Sequence, residues 1–314
     1  MPTLFGRHWS RHSLERKVGS LAQVFGVTEA EYTTGAARGM RFWDVRTGGG
    51  LQLRLLPDRC LDIAEASCGG VPLSWRSSVG PCHPSLPDAD SSTRASFQQG
   101  FGGGLLVTCG LRHFGPPAEI AGEFMPTHGR AHRLPAEQAL WGIDWQEDEA
   151  TLWAEGAVRE ARSGAENLEL RRRFEFPVGG TTLYLHDVVT NQGFRREPVA
   201  LLHHLNFGLP LVDEGSLVTL DGTTLGVSAG TSGFVTAGGG VVTLEHPGVG
   251  LCVEVRFSHP ALQVWSQPQP GMNVLAIEPA SHAGQSLSAS DTRWLEPGEQ
   301  VAFLLSVTLR LPAS

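Results

Sequence analysis

The feature that most constrains the fold is a two-residue alternation of apolar and polar side chains, which recurs along much of the chain. Leucine occupies positions 51, 53 and 55, with polar residues between them. Residues 168–176 place leucine and phenylalanine on one face and charged side chains on the other, and residues 301–309 form a similar run. Such alternation is typical of strands with one buried face and one face in water.

Turn sequences that contain glycine separate these runs, at residues 48–50, 69–70, 179–180, 221–222, 238–240 and 297–298. The 39 glycines and 20 prolines follow no fixed period, which suits many turns between short strands. We therefore predict an all-β fold of antiparallel sheets packed face to face, with residues 1–314 in a single domain. Residues 81–92 are rich in proline, serine and aspartate and predict a long surface loop within that domain.

The first 30 residues show a different periodicity. Leu14, Val18, Leu21 and Phe25 follow one another at helical spacing, and Ser13 can cap a helix that begins there. We expect a short N-terminal helix, with residues 1–30 forming a helical extension packed on the sheets.

Charge and cysteine content exclude several classes of protein. The net charge of -8 argues against a nucleic-acid partner, since phosphate binding needs a concentrated basic surface. No segment approaches the roughly 20 apolar residues of a membrane helix, and the N-terminus lacks the apolar core of a signal peptide. We expect a cytoplasmic protein with no membrane partner. The five cysteines form no CxxC pair, so neither a disulfide scaffold nor a zinc ribbon is expected.

Arg172 breaks the alternation, because it falls on the apolar face of its predicted strand. Burying an unpaired charge is costly, so an inward arginine needs a partner or a cavity. The sequence leaves two interpretations open. Either a bulge shifts the register at this point, or Arg172 faces a ligand cleft.

Further polar groups lie at the ends of apolar runs or in loops. Arg59 is either an ion-paired surface residue or a sugar ligand, since its fixed fork of donors can hold two oxygens. His128 and His132 have a spacing that would suit a metal ion on a helix, but Gly129 and the nearby prolines argue against a helix. A histidine beside a glycine is either structural or able to approach a ligand closely.

Two later segments place polar groups inside apolar strands. His204 and Asn206 would share one face of a strand, while His203 would point to the other face. Glu278 ends an apolar run and is either a surface charge or a carboxylate that faces a cleft. Trp265 either stacks on a sugar ring or packs in the core. Neither a phosphate-binding glycine loop nor a G-x-S-x-G nucleophile motif is present.

Seven short segments, in this order, carry a resemblance to a known family. They are Arg-Gly-Met-Arg at 38–41, Leu-Pro-Asp-Arg at 56–59 with Leu-Asp-Ile at 61–63, Thr-Cys-Gly-Leu at 108–111, His-Gly-Arg at 128–130, Asp-Val-Val-Thr-Asn at 187–191, His-Leu-Asn-Phe-Gly at 204–208 and Ile-Glu-Pro at 277–279. With them the chain resembles the aldose 1-epimerase superfamily, and most closely a bacterial branch of mutarotase-like proteins. The resemblance covers nearly the whole chain.

The resemblance implies a galactose mutarotase-like fold, a large antiparallel β-sandwich (a supersandwich) with a sugar cleft across one sheet. It implies that Glu278 is a general base and His204 a general acid. A glutamate near a histidine also favours the protonated imidazole that the acid role requires. We expect the substrate to be bound by His128, Arg59, Asn206, Arg130 and Trp265.

Because of two departures from the galactose-type enzymes, the sequence does not identify the substrate sugar. Those enzymes carry an aspartate just after a Gly-Thr-Pro-like turn, and residues 222–226 contain none. Their usual arginine has no obvious counterpart either, although Arg59 is a candidate substitute.

The expected function is therefore isomerisation at the anomeric carbon of a sugar by general acid–base catalysis. Proton transfers suffice for this reaction, so no cofactor and no metal are expected. The expected partner is a small-molecule sugar, and a homodimer is one candidate assembly. One alternative is a non-catalytic carbohydrate-binding or sensor protein on the same fold. Another is a metal-dependent sugar isomerase that would use His128, His132, His204 and Glu278.

Overall fold

The computed structural model describes residues 2–86, 94–120, 122–226, 230–231, 233–236, 238–284 and 292–310. Strands dominate these residues, and helices are few and short. The helices are α1 (Arg11–Glu15), α2 (Arg94–Gly100) and three 3-10 helices at Leu21–Gln23, Gly35–Ala37 and Ala131–Arg133. No helix in the described ranges is long and apolar enough to cross a membrane.

The strands, in chain order, are β1 (Thr3–Leu4), β2 (Arg7–His8), β3 (Gly26–Glu31), β4 (Arg41–Arg46), β5 (Leu51–Leu56), β6 (Asp62–Cys68), β7 (Val71–Pro72), β8 (Leu106–Cys109), β9 (Ala118–Ile120), β10 (Glu123–Met125), β11 (Ala136–Gln146), β12 (Glu149–Ala161), β13 (Asn167–Pro177), β14 (Thr182–Asn191), β15 (Glu197–Val199), β16 (Leu202–Phe207), β17 (Leu217–Leu220), β18 (Thr223–Thr224), β19 (Gly230–Thr231), β20 (Val235–Thr236), β21 (Gly240–His246), β22 (Leu251–Phe257), β23 (Ala261–Gln267), β24 (Val274–Ala280), β25 (Arg293–Leu295) and β26 (Gln300–Arg310).

Two antiparallel sheets contain most of these strands. The front sheet has the order β19-β23-β24-β16-β8-β6-β5-β4-β3, with β20 added beside β23 and β7 beside β6. The back sheet has the order β11-β12-β13-β14-β26-β22-β21-β17-β18. One hydrophobic core takes side chains from both sheets, such as Leu55, Phe207, Phe174 and Val255. The predicted all-β, galactose mutarotase-like sandwich of antiparallel sheets is confirmed, with a short helix near the N-terminus.

The alternation that predicted strands reflects burial. The predicted runs lie in β5, β13 and β26, and along β13 every second residue from Leu168 to Phe176 is buried. Fully burying one leucine or phenylalanine stabilises a protein by about 1.5–3 kcal/mol. The apolar side chains of these strands lie on one face, and that face packs into the core because its burial stabilises the fold.

Two of the predicted glycine turns meet each other across the sandwich. Gly49 lies between β4 and β5, and Gly179 lies between β13 and β14. A β-carbon on Gly49 would come within 2.2 Å of the Gly179 carbonyl oxygen, so neither sheet could keep its position. Gly179 also has a φ of +80°, which favours glycine. The glycines at these turns permit the front and back sheets to approach each other at this end.

The N-terminal helix is shorter than the sequence predicted. It ends at Glu15, and Ser10 rather than Ser13 caps it by accepting a hydrogen bond from the Ser13 amide. Leu21 belongs to a separate 3-10 helix capped by Ser20. The apolar residues from Leu14 to Phe25 therefore do not lie on one continuous helix. α1 ends at Glu15, and β3 of the front sheet begins at Gly26. The assignment of residues 1–314 to one domain, with 1–30 as an extension, stays a prediction.

The loop predicted at residues 81–92 lies partly outside the described residues. Residues 81–86 belong to neither a helix nor a strand, and residues 87–92 are outside the described ranges.

Arg172 is the residue that joins the two sheets electrostatically. Its guanidinium donates two hydrogen bonds to Asp187, of 3.0 and 2.7 Å, from the neighbouring strand of the back sheet. It also donates to Asp62 and to the Cys60 carbonyl of the front-sheet side, at 2.8 and 2.9 Å. The Asp187 carboxylate contacts Nε2 of His203, on β16, at 2.7 Å. The network is fully enclosed, because Arg172 is 1% exposed.

The network corrects both interpretations of Arg172 that the sequence left open. The pairing of β13 with β14 runs without a bulge through Arg172 and Asp187, so no register shift occurs. The side chain faces the core rather than a cleft. Although burial opposes it, the guanidinium of Arg172 holds the pKa of Asp187 below its usual range. Arg172 is therefore a buried, charge-paired connection between the sheets.

We expect Arg172→Met to lower the free energy of unfolding by about 3–5 kcal/mol, because it leaves two carboxylates buried without their cation. Arg171→Met is the matched control. Arg171 is adjacent in sequence, its side chain is 65% exposed, and its ion pair with Glu169 lies at the surface side of the sheet. We expect the control to cost about 1 kcal/mol or less. Urea unfolding of both variants measures the difference, and equal losses would contradict the assigned role of Arg172.

Candidate active site

Two strands of the front sheet bring His204 and Glu278 side by side. β16 and β24 are antiparallel neighbours, with Leu205 paired to Ile277 and Leu202 paired to Ala280. This register puts His204 opposite Glu278. Nε2 of His204 lies 3.4 Å from Oε1 of Glu278, and the two residues are only 6% and 2% exposed. The structure therefore brings together the two residues predicted to be catalytic.

The alternation of β16 sends neighbouring histidines to opposite faces of the sheet. His203 enters the core, where it contacts Asp187 and, at 2.8 Å, His259. His204 faces away from the back sheet and into a pocket on the front sheet. The predicted separation of the two histidines is confirmed.

The pocket beside His204 has a volume of about 780 Å³, including its open mouth. Three aromatic side chains form its walls. Phe97 of α2 and Phe101, the residue just after α2, stack with ring centroids 5.0 Å apart, and Trp265 of β23 lies 6.0 Å from the His204 ring. The Phe101 ring is 5.8 Å from that of His204, so His204 has aromatic neighbours from two different segments.

His128 reaches the same pocket from the loop after β10. Its ring lies 5.8 Å from the ring of His204 and 4.9 Å from that of Phe97. The loop is held by backbone hydrogen bonds from the His128 amide to Gly115 and from the Gly110 amide to His128. A β-carbon on Gly129 would come within 2.5 Å of two carbonyl oxygens. The glycine that follows His128 therefore lets the loop pass close enough for the histidine to reach the pocket.

Three of the predicted sugar ligands, Arg59, Arg130 and Asn206, do not line this pocket. Arg59 donates to the carbonyls of Cys82 and Gly100, and it joins these segments to the front sheet. Arg130 contacts Glu123 and the Phe124 carbonyl of the β9–β10 hairpin. These two arginines position loops and do not belong to the proposed binding site.

Asn206 shares the strand face of His204 but lies beneath the pocket. It is fully buried, and its amide nitrogen donates to the carbonyls of Gly104 and His204, each at 3.0 Å. Because both acceptors belong to the backbone, Asn206 fixes the local course of the chain. The structure thus brings together His128, His204, Trp265 and Glu278 around the pocket. It places Arg59 and Arg130 elsewhere, and it places Asn206 beside His204 but not in the pocket lining.

The sequence analysis missed the amides of the pocket and the two phenylalanines in and just after α2. Gln263 lies next to Glu278 in the register of β23 and β24, and Gln267 lines the pocket from the same strand. Their two-residue spacing with Trp265 was a signal that these three side chains share a face. Phe97 and Gln98 of α2, and Phe101 just after it, also line the pocket.

Burial controls the ionisation of the central pair. It lowers the pKa of His204 from 6.5 to about 4, and the amide of Asn206 opposes this shift only in part. It raises the pKa of Glu278 from 4.5 to about 8. Neutral forms are therefore favoured for both groups near pH 7. The expectation that the glutamate would favour a protonated imidazole is corrected here, because both groups leave water and the loss of hydration outweighs their attraction.

A pair of this kind can exchange protons with a bound molecule. Between about pH 4 and pH 8 the two groups together hold one acidic proton, on either the carboxyl or the imidazole. One group can then donate while the other accepts, which is the requirement for general acid–base catalysis. Within the described ranges, no three His, Cys, Asp or Glu side chains are arranged to hold a metal ion. His132, which the metal hypothesis needs, is buried with its ring against Phe97 and does not line the pocket.

Residues 37–232 match the family described as Domain of unknown function (DUF4432), and the match covers more than half of the chain. The sequence matches no curated protein.

Solved structures share the fold at low sequence identity. A "putative aldose 1-epimerase" from Klebsiella pneumoniae is 19% identical, with a TM-score of 0.80 over 92% of this chain and 86% of that one. A galactose mutarotase-like protein from Clostridium acetobutylicum is 11% identical, with a TM-score of 0.63 over 92% and 99%. The galactose 1-epimerase from Lactobacillus acidophilus is 10% identical, with a TM-score of 0.60 over 92% and 100%. The resemblance inferred from the sequence is thus confirmed at the level of the fold.

The buried carboxyl of Glu278 should make stability depend on pH in a defined window. Between pH 6.5 and 8 the unfolded chain carries an ionised Glu278, whereas the folded protein keeps it protonated. The folded state then binds one more proton, so the free energy of unfolding falls as pH rises, by up to about 1.4 kcal/mol per pH unit. Below pH 6.5 the lowered pKa of His204 acts in the opposite sense and offsets this slope.

We expect Glu278→Gln to remove this fall, so that the variant gains stability relative to the native protein as pH rises from 6.5 to 8. Urea unfolding at several pH values measures the gain. Glu119→Gln, at an exposed position, makes the same change of charge and serves as the control. Parallel stability curves for the native protein and Glu278→Gln would show that Glu278 is already ionised in the folded state.

Proposed function

We propose that this chain, which belongs to the DUF4432 family, is a sugar isomerase of the aldose 1-epimerase type. It would interconvert the α and β anomers of a sugar bound over His204 and Glu278 in the front-sheet pocket. The observation that carries the proposal is the contact of 3.4 Å between two buried, titratable groups that line that pocket.

The reaction needs two proton transfers at neighbouring oxygens. One catalytic group takes the proton of the anomeric hydroxyl, and the other gives a proton to the ring oxygen. The ring opens, the carbonyl group turns about the bond to the next carbon, and the reverse transfers close the ring on the other face. Both oxygens are bonded to the same carbon, so the groups that serve them must lie side by side, as His204 and Glu278 do.

The walls of the pocket suit a sugar ring. The apolar C–H faces of a sugar pack well on aromatic rings, which Phe101 and Trp265 offer beside His204. Amide groups can both donate to and accept from hydroxyls, and Gln263 and Gln267 supply them. Among the described residues that line the pocket there is no arginine or lysine. We therefore propose an uncharged sugar rather than a sugar phosphate or a uronic acid.

A non-catalytic sugar-binding protein on the same fold is the alternative. Such a protein would need the aromatic walls and the amides, but it would have no use for a buried carboxyl beside a buried imidazole. Removing these groups from water costs stability, and a binding site could obtain its hydrogen bonds from neutral side chains instead. The pair therefore favours the catalytic proposal.

We expect Glu278→Gln and His204→Asn each to slow anomer exchange by about 100- to 10,000-fold, because each removes one proton-transfer partner. Sugar binding should change little, since the lost interaction belongs mainly to the transition state. The double variant should be only slightly slower than either single variant, because the two groups act as one unit. Exchange NMR on a sugar identified by a saturation-transfer screen measures the rates.

His186→Asn is the control for His204→Asn, because it makes the same change on the exposed face of the back sheet. Its exchange rate should equal that of the native protein. Near-native exchange in Glu278→Gln would rule out the acid–base mechanism. Sugar binding without any exchange in the native protein would support the sensor alternative.

A further inference from the structure

Among the described residues, none with a permanent charge faces the His204–Glu278 pair. The side chains that face it from the packed elements of the described structure are Phe97 of α2, Phe101 just after α2, Val107 and Cys109 of β8, Thr127 and His128 after β10, Asn206 of β16, and Gln263 and Trp265 of β23. Of these only His128 and Cys109 can titrate. Burial raises the pKa of Cys109 well above its usual value, so its thiol stays neutral.

An ion pair between Glu278 and His204 would be stabilised by few additional hydrogen bonds. Glu278 contacts His204 only at 3.4 Å, which is long for a charge-assisted hydrogen bond. In the described structure, Nδ1 of His204 is buried without a well-formed hydrogen bond, and the Asn206 amide beside the imidazole carries no charge. By contrast, Asp187 in the core is contacted by two nitrogens of Arg172 and by His203, all within 3.0 Å. A buried ion pair stabilises a structure only when such additional hydrogen bonds are present.

We propose that, in the resting protein, the acidic proton of the pair lies on Glu278, so that Glu278 is the general acid and His204 the general base. The inference rests on the proposed function. It reverses the roles that the resemblance to aldose 1-epimerases implies. The raised pKa of Glu278 and the lowered pKa of His204 agree with it.

The reaction balances with these roles. The Glu278 carboxyl gives its proton to the ring oxygen while the bond between that oxygen and the anomeric carbon breaks. The imidazole of His204 takes the proton of the anomeric hydroxyl, and the electrons of that O–H bond form the new carbonyl. The open-chain sugar then lies beside a Glu278 carboxylate and a His204 imidazolium. The reverse transfers close the ring and return both groups to their neutral forms.

This assignment places the ion pair in the open-chain intermediate and not in the resting protein. The intermediate brings its own polar groups, a new hydroxyl and a carbonyl, which can hydrogen-bond to the two charges. A pH–rate profile would not separate this assignment from the reverse one, since both require one shared proton over the same pH range. Spectroscopy of each group is therefore needed.

The first measurement is nitrogen-15 NMR of the intact protein at pH 6.5 with labelled histidine, with the His204 signals identified by their loss in His204→Asn. We expect two well-separated nitrogen signals, which are characteristic of a neutral imidazole. Two close signals at the position of an imidazolium would overturn the proposal.

The second measurement is infrared spectroscopy at pH 6.5, and it looks for the carbonyl band of a protonated carboxyl. The band should be present in the native protein and absent in Glu278→Gln. Glu160→Gln is the control, because Glu160 is another buried glutamate with a raised pKa and lies outside the pocket. The Glu278 band should persist in it. A native spectrum that does not change in Glu278→Gln would overturn the proposal.

Measuring anomer exchange on the same samples distinguishes a failure of the role assignment from a failure of the proposed function. Exchange by a protein whose His204 is an imidazolium would leave the proposed function standing and overturn the assignment of roles. A neutral pair in a protein that exchanges no sugar would overturn the proposed function, and the assignment with it.

Discussion

The alternation of side chains along β16 connects the core of this protein to its pocket. His203 points inward and joins the network of Arg172 and Asp187, which ties the two sheets together. The next residue, His204, points outward to Glu278. A slip of one residue in the register of β16 would exchange the two histidines and destroy both arrangements. The buried ion network therefore fixes the strand that presents the candidate catalytic histidine.

The two polar clusters on either side of β16 meet the cost of burial in different ways. In the core, Arg172 contacts two carboxylates closely, and the charges are retained. In the pocket, the described residues give Glu278 a single contact, His204 at 3.4 Å, and no arginine or lysine beside it, so burial shifts both groups towards their neutral forms. The first arrangement contributes structure. The second leaves a proton available for transfer, as a perturbed pair in a cleft often does at functional sites.

Much of the fold followed from the sequence, because alternation and turns are local signals. β5, β13 and β26 could be read directly, and so could the opposite faces of His203 and His204. The roles of Arg59, Arg130 and Asn206 could not, because they depend on backbone carbonyls that only the folded chain brings to these side chains. Asp62 and Asp187, which belong to segments that carry the family resemblance, lie in the core network. The short α2, which carries Phe97 and is followed directly by Phe101, has no repeating apolar pattern that would have identified it as a pocket wall.

A crystal structure of Glu278→Gln soaked with an uncharged sugar tests the central claim most directly, since the substitution keeps the shape of the pocket while preventing turnover. The account predicts a sugar ring between Phe101 and Trp265, with its ring oxygen and anomeric hydroxyl each within about 3.2 Å of the side chain of residue 278 or of His204. A sugar bound in this pocket with its anomeric carbon turned away from both residues, or bound only elsewhere on the protein, would contradict it.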